Sequence, residues 1–69
     1  MKVLIVKTKL QKRFLIELHT DKLVGEVATL VAKKKYSLAI KTVLSKGRLE
    51  KELGENDPKN IKADLVLTE

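Results

Sequence analysis

Sixty-nine residues make one domain, residues 1–69, and leave no room for a second. The chain has no cysteine and a single histidine, which excludes disulfides, thiolate metal sites and any histidine cluster. Its net charge of +6 is uneven: residues 1–48 hold twelve Lys/Arg and three Asp/Glu, residues 49–69 three Lys and six Asp/Glu, so the basic body points either to an anionic partner or to a surface kept soluble by charge.

Lys2-Val3-Leu4-Ile5-Val6-Lys7-Thr8 is β-branched and apolar, and reads as a strand with both faces at least partly covered. After a polar break, Arg13-Phe14-Leu15-Ile16-Glu17-Leu18 alternates. Phe14, Ile16 and Leu18 share one face; Arg13, Leu15 and Glu17 share the other. The two runs predict an antiparallel hairpin. Thr20-Asp21 then supplies a helix N-cap signal. Leu23, Val27, Leu30 and Val31 recur at helical spacing, and Lys33-Lys34-Lys35 is expected to close the last turn. Gly25 within this helix costs roughly 1 kcal/mol relative to alanine.

Ala39 to Leu44 is read as a third strand, Lys46-Gly47 as a turn with glycine supplying a positive φ, and Arg48-Leu49-Glu50 as a short returning strand. Residues 54–60 are polar and loop-like, with Asp57-Pro58 marking a possible single helical turn. Ile61 is expected to plug the core, and Asp64 to Leu67 to form the last strand. The expected class is α+β, in the order β-β-α-β-β: a mixed sheet of about four or five strands packed on one helix. The terminal strands are expected to lie side by side in the centre of the sheet.

No enzyme signature is visible: no cysteine nucleophile, no GxSxG, no Gly-rich phosphate loop. Glu50, Glu52, Glu55 and Asp57 cluster in a polar segment, which does not separate two carboxyl pKa values as acid–base catalysis needs. No catalytic residue, metal or cofactor is expected, and His19 reads as a turn residue. The longest apolar run, Val3 to Val6, is too short for a membrane span or a signal-peptide core, so no membrane partner is expected and the cytoplasm is the expected location.

Several short strings carry a likeness in their order and spacing. Val6-Lys7-Thr8 stands where a Val-Lys-Thr would end a first strand, with Phe14 to Leu18 as the second. Asp21-Lys22-Leu23 resembles an Asp-Thr-Ile that opens a helix, and Leu44-Ser45-Lys46-Gly47-Arg48 is similar to Ile-Phe-Ala-Gly-Lys around a third strand and turn. Ile61 followed by Leu65-Val66-Leu67 resembles a closing Ile and a final Leu-x-Leu strand. Together these strings resemble ubiquitin-like, or β-grasp, proteins. That family's conjugated members and sulfur carriers end in Gly-Gly; this sequence closes on Leu67-Thr68-Glu69. The resemblance therefore implies a small, non-conjugated protein-binding module, an adaptor or assembly subunit.

The resemblance also implies a recognition patch on the outer sheet face, built from Ile5, Leu10, Leu15, Leu44 and Val66, with Lys7, Lys41, Lys46 and Arg48 around it. Such a contiguous apolar patch would serve a protein partner or a homo-oligomer. A register shift by one residue would turn the same side chains into core. The alternative function is a small basic protein that binds nucleic acid. Lys7, Lys9, Lys12 and Arg13 bracket the hairpin as its phosphate contacts, and binding is expected to be salt-sensitive and non-specific because the only aromatics are Phe14 and Tyr36.

Overall fold

Alternation and β-branching place Lys2–Lys7 (β1) and Lys12–Glu17 (β2) in strands, paired antiparallel with Ile5 opposite Phe14 and Leu4 opposite Leu15. The computed structural model describes residues 1–7, 12–53 and 61–68. The N-cap signal is realised: Thr20 Oγ1 accepts from the Leu23 amide at 3.2 Å and opens α1 (Asp21–Ala32), with Asp21 in the first turn.

The lysine triplet does not close that helix. It forms the turn to a second helix, α2 (Tyr36–Lys46), which takes in the whole of the expected third strand. The cause is a conflict of periods. Ile40, Thr42 and Val43 favour a strand one residue at a time, but Ala39, Ile40, Val43 and Gly47 recur at helical spacing. Three of these are buried, at Ala39, Ile40 and Val43. Packing that face on the sheet and on α1 outweighs local preference.

Gly47 then ends α2 in an extended conformation (φ −78°), so its glycine is not needed for a positive φ. It is needed for room. A Cβ there would fall 2.5 Å from the Val43 carbonyl oxygen and against the Ile16 Cγ2 methyl. The close approach lets the chain turn directly from α2 into β3 (Arg48–Leu53), whose length exceeds the short returning strand read from Arg48-Leu49-Glu50. β3 pairs antiparallel with β2, with a bulge that sets Leu49 and Lys51 opposite Ile16 and Leu15. Finally β4 (Leu65–Thr68) runs parallel to β1, tied at its start by the Asp64 amide, which donates to the Lys2 carbonyl at 2.9 Å.

The described residues thus form an α+β domain of four strands and two helices, with sheet order β3-β2-β1-β4. The first and last strands are neighbours as expected, but β4 lies at an edge and the centre is β1 with β2. Both helices cover one face. Val3, Ile5, Ile16 and Leu67 meet Leu23, Val27, Ile40 and Val43 there, and no described polar side chain is buried. Ile61 is half-buried, and the turn read at Asp57-Pro58 lies outside the described residues.

Candidate interaction face

Side chains in a strand alternate between faces, and paired residues share one. With Val3, Ile5, Phe14, Ile16, Leu65 and Leu67 turned to the helices, their neighbours face the other way. Pairing aligns those neighbours into rows across the sheet. Lys51, Leu15, Leu4 and Val66 form the central row; Leu53, Arg13, Val6 and Thr68 form the next. Arg48, Glu17 and Lys2 form a charged row at the sheet end. There Lys2 Nζ also meets Glu50 Oε1 at 3.2 Å across β2.

No described helix covers this face. Its apolar members grade from one edge to the other. Leu15 and Leu53 are buried yet separate from the helix-side core, Leu4 and Val6 are half-buried, and Val66 is 55% exposed. The face is therefore a strip of apolar side chains with charged groups at one end and Lys51 and Arg13 among its rows.

The expected patch is only partly assembled. Leu15 and Val66 lie in one row of the outer face. Ile5 does not: it is fully buried against the helices, because it pairs with Phe14 and so must share Phe14's face. The row is completed instead by Leu4, opposite Leu15, a position that pairing with the alternating second strand makes visible. Leu44 is 40% exposed but stands on α2, in the layer on the other side of the sheet. Leu10 lies outside the described residues.

The basic residues fall in two places, at the hairpin end of the sheet and on or just after α2. Lys12 and Arg13 begin β2 opposite Lys7 and Val6 at the hairpin end, while Lys9 falls outside the described residues. Lys41 is exposed on α2, Lys46 pairs with Glu26 at 3.4 Å, and Arg48 sits opposite Glu17. His19 is exposed where β2 passes into α1, on a shallow depression of about 270 Å³ shared with Thr20, Lys22, Glu26 and Lys46. Among the described residues no three His, Asp or Glu side chains gather as a metal site would need, and no helix is long and apolar enough to cross a membrane.

No family model matches the chain, and neither the curated proteins nor the solved structures give a match.

Proposed function

We propose that this chain is a non-catalytic protein-interaction module that engages its partner through the outer face of the sheet. The observation that carries the reading is the row Leu15, Leu4, Val66, apolar across three adjacent strands on the side the helices leave uncovered. A two-layer domain ordinarily turns such a face polar. An apolar strip with a charged rim is the usual build of a protein interface, and contact there would remove Val66 from water.

The ubiquitin-like part of the reading draws support from the N-terminal hairpin and from the parallel pairing of the first and last strands. The second helix and the place of β3 beside β2 are not what that resemblance implies. A cysteine-free chain suits a reducing compartment, and the cytoplasm is the location proposed with it.

A photoreactive amino acid placed at position 66, with position 41 on α2 as control, tests the reading in cells. An adduct is expected from position 66 and not from 41. The partner, identified from the adduct and purified, should bind the chain roughly tenfold more weakly when Val66→Asp is introduced, a loss of about 1.4 kcal/mol. An adduct made of two copies of the chain would make the partner a second protomer. Equal adducts from both positions, or a purified partner indifferent to Val66→Asp, would refute the sheet face as the interface.

A further inference from the structure

The turn between the helices concentrates positive charge that the fold does not use. Lys33, Lys34 and Lys35 occupy it, all exposed, and among the described residues none of their side chains meets a carboxylate. The surrounding sequence supplies none: residues 27–49 hold six Lys/Arg and no Asp or Glu. Read as helix, the three lysines would fan around an axis. As a turn, they lie exposed side by side at one end of the helical layer.

The backbone of this turn adds a second observation. The Lys34 amide donates to the Val31 carbonyl and the Lys35 amide to the Leu30 carbonyl, each at 2.9 Å. That pair of bonds is a Schellman ending, whose next residue takes the left-handed conformation and is most often glycine. Here it is Lys34, at φ 59°, the one non-glycine residue with positive φ among those described. Glycine would adopt that conformation without the Cβ strain. A strained residue where the backbone asks only for a turn directs attention to what its side chain does.

Its neighbours fit one kind of ligand. Tyr36 and Leu38 are exposed, at 43% and 48%, and Ser37 is exposed between them. Three ammonium groups on flexible stems match a run of phosphates, which lysine contacts as a point charge without reading bases. An exposed aromatic ring beside them is what a splayed base stacks on. We propose that the α1–α2 turn binds the backbone of single-stranded nucleic acid, with Lys33, Lys34 and Lys35 on successive phosphates and Tyr36 against a base. This site is separate from the sheet face and stands or falls without it.

The test is fluorescence anisotropy of a labelled short oligodeoxythymidine, titrated with the full chain at several salt concentrations. The slope of log affinity against log salt should shrink by roughly 0.7 for each phosphate contact removed. Lys34→Gly is expected to weaken binding and reduce that slope while raising the melting temperature, two effects of opposite sense from one change. Lys22→Gln removes the same charge from the far end of α1, roughly 16 Å along the helix axis, and should leave the slope as in the parent chain. The proposal fails if the parent chain does not bind the oligonucleotide at low salt. It fails equally if Lys22→Gln and Lys34→Gly reduce the slope alike, since the attraction is then diffuse. Binding to phosphatidylserine vesicles without binding to the oligonucleotide would also overturn it, in favour of a membrane surface. A lower melting temperature for Lys34→Gly would remove the strain argument.

Discussion

Leu4 and Ile5 are adjacent in β1, similar in size and equally apolar, yet they do opposite work. Ile5 is fully buried beneath the helices, opposite Phe14 and Leu67. Leu4 is half-buried on the outer face, between Leu15 and Val66. The helix-side face is apolar across the central strands, whereas the outer face mixes apolar side chains with Lys51, Arg13 and a charged row at one end. Apolar character marks a residue as able to be buried; what packs on it decides how far it is. On the outer face Leu15 and Leu53 are buried as well, and Val66 at the β4 edge stays 55% exposed.

The largest effects should come from breaking the helix side of that comparison. Ile5→Ala is expected to cost about 2–5 kcal/mol in urea unfolding, the range for emptying an isoleucine-sized space in a core. Val66→Ala on the outer face should stay within about 0.5 kcal/mol of the parent chain. Comparable losses from both would mean that the two faces are equally packed, and the case for an open interaction face would disappear.

Two glycines sharpen the same contrast at the next level. Gly47→Ala forces a methyl group against Val43 and Ile16, and should lower the melting temperature by an amount worth roughly 1–3 kcal/mol. Gly25→Ala meets nothing within 4 Å on an exposed helix surface and should stabilise by about 0.5–1 kcal/mol. A Gly47→Ala chain as stable as the parent, or more so, would show that α2 does not sit close to β2 as described.

The smallest effect belongs to the charged rim of the outer face. Lys2 and Glu50 are 45% and 32% exposed in their side chains, so water screens their attraction. Glu50→Gln is expected to change stability by less than about 0.5 kcal/mol, and the change should vanish when unfolding is repeated at high salt. A larger, salt-independent loss would make this pair part of the architecture and not merely a border to the apolar strip.

Part of the candidate face was legible before any coordinates. Alternation set Leu15 on the face opposite Phe14 and Ile16, and the structure turns that face away from the helices. The same alternation, carried across the hairpin, pairs Ile5 with Phe14 and makes Ile5 core. Placing Ile5 by the register of the ubiquitin-like resemblance missed this, because a borrowed register bypasses the pairing that sets the face. Leu44 failed for a different reason. Its segment is a helix, so no strand register applied to it.

The sequence by itself determined the elements whose signals are local. These are the two first strands from their β-branched and alternating pattern, the start of α1 from Thr20 and Asp21, and the split between a basic body and an acidic end. Tertiary structure alone decided that Ala39 to Leu44 is helical and that Lys33 to Lys35 form a turn. It also decided that Gly47 serves space, and that β3 joins β2 while β4 takes the edge beside β1. The physical reason is common to all of these. Local preferences differ by at most about 1 kcal/mol per residue, whereas burying one apolar side chain contributes about 1.5–3 kcal/mol, so wherever pattern and packing disagreed, packing set the outcome.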